Sequence, residues 1–162
     1  MNNILSNELR IQYGRVFATV KAIIDAFPES KWLEPHGDIY YIPSRIAYHI
    51  VEYIRGAVLG EFKDPDFRDK SPFGSWMTED FKTLPNKDAL IGYFTEVTTK
   101  AQGLLESLVD ENLSLPMIPE MARFGSYQFS LHLAAMREIS AHTGELNKML
   151  VENGIDDIWI SR

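Results

Sequence analysis

Apolar residues recur at intervals of three and four positions in four long segments of this chain. The segments cover about residues 6–27, 44–59, 86–109 and 126–153. This spacing lines up apolar side chains along one face of an α-helix and therefore predicts four amphipathic helices. The best candidate for a strand, residues 39–43, is too short to indicate a sheet. The pattern predicts an all-α protein, a four-helix bundle whose long connections leave room for crossover topology.

Residues at the segment boundaries predict where these helices begin and end. Ser6 and Asn86 are of the types that cap helix N-termini, and Gly154 is of the type that ends a helix. The prolines and isolated aromatic residues of segment 61–85 predict a long connection between the second and third helices. Connections of this length often serve as lids or as binding surfaces.

The composition indicates a single globular domain over residues 1–162. Hydrophobic residues make up 45% of the chain and charged residues 24%, which is ordinary for a globular domain. A chain of 162 residues can bury a core without disulfides or a structural metal. Because the chain lacks cysteine, disulfides, thiolate ligands and cysteine nucleophiles are excluded. Any metal must therefore be held by His, Asp, Glu or water.

The charge distribution argues against a nucleic-acid partner. The formal net charge is -7 and the basic residues are scattered, whereas nucleic-acid binding requires a concentrated basic surface. The N-terminal residues lack the basic-then-apolar pattern of a signal peptide. No run approaches the roughly 18 apolar residues of a membrane helix. We therefore expect a cytoplasmic protein that does not contact a membrane.

The last predicted helix carries two ionisable residues on its apolar side. At about 100° per residue, six positions fall along one stripe: Leu131, Ala135, Glu138, His142, Leu146 and Met149. A buried ionisable group needs a partner. A carboxylate and an imidazole one turn apart can both bind a divalent transition metal. A Glu–His pair that is solvated, or that is hydrogen-bonded in the core, remains the alternative.

His49 provides a third candidate ligand on a different helix. It lies on the apolar side of the second predicted helix, between Ile46 and Tyr53. Three protein ligands from two helices, with water in the fourth position, form an open and reactive metal site. The sequence contains no Gly-rich phosphate loop and no HExxH or GxSxG motif, so it assigns no catalytic residue.

Three further polar residues are candidates for supporting roles around these ligands. Glu52 is predicted to orient His49 as a hydrogen-bond acceptor, or else to be solvated. Glu145 is either a hydrogen-bond partner behind His142 or a surface acid. His132 lies about 80° off the stripe, which favours a structural residue or one at the rim of a pocket.

The segments that carry these histidines resemble the DinB/YfiT-like family of metal-binding four-helix bundles. The resemblance spans nearly the whole chain, and its parts read AYHIVEYI at 47–54 and REISAHTGELNKMLVENG at 137–154. Family members typically place one ligand histidine in helix two and two more, spaced H-x-x-x-H, in the last helix. His49 and His142 match the first and third positions, and Glu138 stands at the second. The resemblance implies one divalent transition metal, either zinc, nickel, iron or manganese, held by His/Glu/His.

The resemblance also implies a function. Characterised family members include thiol transferases that use small bacterial thiols such as bacillithiol, many are associated with stress, and dimers are common. We therefore expect a homodimeric metal-dependent transferase, or a related hydrolase, that acts on a small electrophile. Segment 61–85 and loop 110–125 are predicted to form the walls of its pocket.

Two other functions stay open at this point. A metal-free protein could sequester a hydrophobic small molecule in the same cavity, which the Glu at position 138 favours. A dimeric regulatory module could instead use segment 61–85 or the apolar tail 155–162 as an interaction surface.

Overall fold

The computed structural model describes residues 3–160, which form helices and turns and, apart from isolated bridges, no β-structure. Five α-helices follow one another along the chain: α1 (Ile4–Ala26), α2 (Pro43–Tyr53), α3 (Lys87–Glu106), the short α4 (Asp110–Leu113) and α5 (Gln128–Glu152). A π-helical segment, Ile54–Val58, continues α2 without a break. Single 3-10 turns occupy Glu29–Lys31, Glu61–Lys63, Phe81–Thr83 and Pro119–Phe124. The predicted all-α class is therefore confirmed.

The four long helices pack around a shared core. Both α1 and α2 lie against α3 and α5. The core takes buried residues from every long helix, among them Tyr13, Val20, Ile24, Ala47, Ile50, Leu90, Phe94, Ala135, Ile139 and Leu146. Among residues 3–160, none of the helices combines the length and the apolar character that crossing a bilayer requires. The packing brings α2 and α5, the helices of the predicted ligands, into direct contact.

Two of the predicted helix ends are confirmed and one is wrong. The side chain of Asn86 accepts a hydrogen bond from the backbone N–H three residues on, at 2.8 Å. Gly154 has a φ of +77°, which suits the residue just after α5. Ser6 does not cap α1, because that helix begins two residues earlier. A carboxylate oxygen of Asp110 instead accepts the backbone N–H of Ser6 at 2.8 Å, so the cap comes from a distant segment.

The C-terminal tail, as far as residue 160, packs back onto the helices. The side chain of Asn147 bonds both the backbone N–H and the carbonyl of Ile158, each at 2.9 Å. The hydroxyl of Thr19 accepts the backbone N–H of Ile160 at 3.1 Å. These bonds hold the tail against α1 and α5, while the side chain of Trp159 remains exposed.

Four polar side chains hold the long connection against α2. They lie along one side of α2 and its π-helical continuation, and we call them the polar row: Arg45, Tyr48, Glu52 and Arg55. The hydroxyl of Tyr48 donates to the carbonyl of residue 74 at 2.9 Å, and Arg45 donates to the carbonyls of residues 76 and 78. Arg55 donates to the carbonyl of residue 67 at 2.7 Å. The polar row thus donates hydrogen bonds to backbone carbonyls that, in a loop, are normally hydrogen-bonded to water.

A buried ion pair lies at the centre of the polar row. Glu52 accepts a hydrogen bond from Arg55 at 3.0 Å, and the two side chains are only 5% and 8% exposed. The same carboxylate accepts the hydroxyl of Tyr93 at 2.6 Å and the hydroxyl of Ser71. Since Tyr93 belongs to α3 and Ser71 to the connection, one carboxylate joins three parts of the chain.

We expect Glu52→Ala to lower the free energy of unfolding by about 3–5 kcal/mol, because it removes the buried partner of Arg55 and leaves only Glu61, at 3.5 Å and 43% exposed. Glu96→Ala is the matched control. Glu96 also pairs with a cation, Lys100, at 2.7 Å, but its side chain is 59% exposed, and loss of an exposed pair costs about 0–1 kcal/mol. Urea unfolding of both variants measures the difference. Equal losses in the two variants would contradict a structural role for the buried pair.

Candidate metal centre

The three predicted ligands lie together where α2 contacts α5. One ligand atom from each of His49, Glu138 and His142 lies within 4.8 Å of the other two. The two imidazole rings meet edge to face, with their centroids 4.6 Å apart. Nε2 of His142 is 4.0 Å from a carboxylate oxygen of Glu138, and these side chains are 25% and 31% exposed. The group is therefore half-buried, and a small molecule can reach it from solvent.

Helix geometry accounts for this convergence. Glu138 and His142 are one turn apart on α5 and therefore leave the same face of the helix. His49 comes from the middle of α2, where Ile46 and Ile50 on either side of it are buried in the core. Because α2 packs directly on α5, the imidazole of His49 faces the pair on the opposite helix.

Glu145 lies directly behind His142. Its carboxylate is 2.7 Å from Nδ1 of the His142 ring. Since an ionised carboxylate accepts, Nδ1 of His142 donates in this hydrogen bond, and Nε2 is the ring nitrogen that faces Glu138. A carboxylate behind a histidine in this way fixes the tautomer and orientation of a metal ligand. Lys148, the alternative neighbour, pairs with Glu152 at 3.7 Å.

Burial keeps the imidazole of His49 neutral. Its Nδ1 is buried and has no hydrogen-bond partner within residues 3–160. The indole of Trp76 covers the ring with the two centroids 4.0 Å apart. Burial, and then the nearby His142, lower the pKa of His49 to about 4. An unpartnered buried nitrogen costs about 1–3 kcal/mol, which a bound ion would offset.

These features together fit a divalent transition metal. Two neutral imidazoles and one carboxylate are donors that zinc, nickel, iron and manganese accept. The carboxylate behind His142 is a feature expected around a metal ligand, and the buried Nδ1 of His49 has no protein partner among residues 3–160. Within residues 3–160, this is the group of histidine and carboxylate side chains that can hold such an ion.

Glu52 does not orient His49 as the sequence predicted. Its carboxylate points to the buried network of the polar row and bonds Arg55, Ser71 and Tyr93. A spacing of one turn indicates that two side chains share one side of a helix, not that they meet. Glu52 nevertheless lines the same cavity as His49.

His132 is a buried structural residue away from the three ligands. Its Nδ1 lies 3.2 Å from the hydroxyl of Tyr13, which also donates to the backbone carbonyl of His132 at 3.3 Å. The two rings pack edge to face between α1 and α5. Its structural assignment therefore agrees with the structure, and its alternative assignment to the rim of the pocket does not.

A cavity of about 490 Å³ opens beside His49. Its walls come mainly from the two predicted segments, 61–85 and 110–125. Most of its apolar lining is aromatic: Tyr53, Phe62, Phe67, Trp76 and Phe124. The volume is typical of small-molecule sites. Burial, and then the carboxylate of Glu138, raise the pKa of Tyr53, so its hydroxyl stays protonated at the cavity wall.

Gly56 permits the position of Phe62 in this wall. A Cβ atom at residue 56 would lie 2.1 Å from the ring of Phe62, far closer than two carbon atoms can approach. Phe124 stacks nearly parallel to the same ring, with the two centroids 5.8 Å apart. Glycine in the π-helical segment thus allows an aromatic ring to lie directly on the helix backbone.

A smaller cavity of about 190 Å³ shares His49 and Trp76 with the large one. The smaller cavity is lined by the other side of the metal group, including His142 and Glu145. Arg45 donates to the backbone carbonyl of Trp76, so the polar row positions the indole over His49. Both cavities therefore reach the candidate ligands, the larger at His49 and the smaller at His49 and His142.

The roles of Trp76 and the polar row were not predicted from the sequence. A signal was present, because Arg45 and Arg55 interrupt the otherwise apolar pattern of the second helix. A buried guanidinium needs several acceptors. Segment 61–85 lies mostly outside regular secondary structure, so its backbone carbonyls need donors. The sequence could therefore have indicated this segment as the partner of the two arginines.

Comparisons of the chain with protein-family models, with curated proteins and with solved structures found no match. The resemblance to the DinB/YfiT-like family therefore stays a prediction. What supports a function for this site is its own geometry and chemistry.

We expect acid to destabilise the protein in part through His132. Burial lowers the pKa of His132 from 6.5 to about 4. Between these values the unfolded chain binds a proton that the folded chain does not. The stability that His132 contributes is therefore complete above the unfolded pKa and is lost as the pH falls toward the folded one. The shift corresponds to about 3 kcal/mol.

Urea unfolding of the native protein and of His132→Gln, at about pH 7 and about pH 4.5, measures this contribution. The variant should lose less stability on acidification than the native protein does. Identical losses in the two proteins would show that His132 does not titrate with a lowered pKa.

Proposed function

We propose that this chain is a DinB/YfiT-like four-helix bundle that acts as a metal-dependent thiol transferase on small electrophiles. The observation that carries the proposal is the convergence of His49, Glu138 and His142 beside an aromatic cavity. The packing of four long helices around one core supports the bundle. A homodimer and a role in stress complete the proposal as predictions from the resemblance, and a cytoplasmic location as a prediction from the sequence pattern.

The protein's own residues prepare the site for this chemistry. A divalent ion bound there supplies a Lewis acid that lowers the pKa of a bound thiol. His49 offers a neutral ring because burial disfavours its protonation. Glu145 fixes the His142 ring with Nε2 toward Glu138. Glu138 contributes a negative charge, which favours harder ions such as iron or manganese over zinc.

The cavity provides a place for the electrophile beside the thiol. Its aromatic rings exclude water and take up an apolar molecule. The protonated hydroxyl of Tyr53 is available as a hydrogen-bond donor at the wall. In the proposed transfer the thiol sulfur forms a bond to an electrophilic carbon, the bond from that carbon to the leaving group breaks, and the thiol proton passes to solvent.

We expect the purified protein to bind about one divalent ion per chain and His142→Ala to lose it. His36→Ala is the matched control, since His36 pairs with Glu152 and lies outside the three-ligand group. Elemental analysis after loading measures the metal content. Binding should also raise the free energy of unfolding, by about 2.7 kcal/mol at a hundredfold excess over Kd.

Glu145→Gln refines this experiment because it keeps all three ligands. Loss of the carboxylate behind His142 should weaken metal binding by about 10- to 100-fold. Equal metal content in the native protein, in His142→Ala and in His36→Ala would contradict the assigned ligands.

We expect metal-loaded protein to join a small thiol to chlorodinitrobenzene, forming the S–C bond and releasing chloride and a proton. His142→Ala should reduce the rate to that of the uncatalysed reaction, because a ligand is lost. Thioether formation measured by absorbance, with bacillithiol and with cysteine as thiols, checks the proposal. No rate above background with any loading metal would exclude transferase activity on this electrophile class and leave metal binding unaffected.

The second candidate is a metal-free protein that binds an apolar small molecule in the same cavity. The observation that favours it is the ion pair between Arg137 and Glu138 at 3.1 Å, which offsets the carboxylate charge without a metal. The two functions differ in metal content. A protein that stays metal-free after loading, with no rise in melting temperature, supports the binding protein.

A further inference from the structure

The charges around the large cavity do not cancel. Its two acidic lining residues already have cationic partners: Glu52 pairs with Arg55, and Asp64 pairs with Lys70. The cavity is also lined by Arg68 and Arg123. Neither of these guanidinium groups forms an ion pair or a hydrogen bond with any side chain or carbonyl of residues 3–160. The cavity thus presents uncompensated positive charge in a protein whose net charge is -7.

Arg123 is held at the cavity wall by aromatic rings. Its guanidinium carbon lies 4.7 Å from the ring centroid of Phe124 and 5.7 Å from that of Phe62. Contact with ring faces fixes the plane of a guanidinium and leaves its N–H groups free to donate. A planar guanidinium with free donors matches the two oxygens of a carboxylate or a similar anion.

The aromatic rings beside Arg123 suit a planar apolar group. Phe62 and Phe124 stack with an interplanar angle of 10°, and Phe67 packs edge to face on Phe62 at 5.0 Å. The same rings continue toward Tyr53, which lies 5.2 Å from Phe62. The lining therefore runs without interruption from the cationic rim to the residue that contacts His49.

We propose that this cavity binds small molecules that join a planar apolar body to an anionic group, with Arg123 as the residue that recognises the anion. The inference rests on the proposed function where it names the substrate class, because the apolar body then lies beside the metal group. The binding step itself requires only the cavity. Arg68 contributes a second positive charge at the rim.

The experiment is calorimetric titration of the full-length protein, in the presence of a chelator, with three probes of one shape. They are naphthoate, naphthalenemethanol and naphthylmethylammonium. We expect naphthoate to bind about tenfold more tightly than the neutral alcohol, the value of one charge-assisted hydrogen bond. The cation should bind more weakly than the alcohol.

The variants locate this preference on one residue. Arg123→Gln should weaken naphthoate binding by about tenfold and change binding of the alcohol by less than about twofold. Arg15→Gln is the matched control: Arg15 is exposed on α1 and does not line the cavity, so the variant makes the same change in net charge. Phe124→Leu should weaken binding of both naphthoate and the alcohol, because it removes the aromatic wall.

Several results would overturn the proposal. They are the absence of naphthoate binding, equal affinities for naphthoate and the alcohol, and equal effects of Arg123→Gln and Arg15→Gln. His36→Ala, at a residue outside both the cavity and the three-ligand group, should bind naphthoate as the native protein does. Because the titration contains no metal or thiol, its failure is distinct from failure of the proposed transferase, which the metal and rate measurements decide.

Discussion

The fold depends on a buried carboxylate that joins three separate parts of the chain. Glu52 leaves α2, pairs with Arg55 one turn on, and accepts hydroxyl groups from α3 and from the long connection. A buried charge is costly unless its partners are in place, so these bonds permit one arrangement of the connection and penalise others. The other members of the polar row extend this attachment along α2 by donating to the carbonyls of residues 74–78.

The hydrogen bonds between the polar row and the long connection also affect the candidate metal centre. They hold Trp76 over His49, and the indole contributes to the burial that keeps the imidazole neutral. On the opposite helix Glu145 accepts a hydrogen bond from Nδ1 of His142. Exclusion of water thus keeps the ring of His49 neutral, and a hydrogen bond orients the ring of His142. Side chains outside the ligand set control both ligands, and each does so through a different physical effect.

The parts of the fold that follow a local period could be predicted from the sequence. The four long helices were found because apolar residues repeat along them, and the three ligands because His49, Glu138 and His142 lie on those apolar sides. Contacts between distant segments do not produce a periodic pattern in the sequence. The cap from Asp110 on α1 and the turn of Glu52 toward Tyr93 depend on how the helices pack, and neither follows from spacing within one helix.

Gly56 affects the width of the large cavity. The ring of Phe62 occupies the space that a side chain at residue 56 would fill. The width of the large cavity therefore depends on the absence of a Cβ atom at this position. Any other residue there displaces the ring and changes the width of the cavity. Selectivity for the size of a bound molecule can therefore change through one backbone position, while the candidate metal ligands and the two cavity arginines stay as they are.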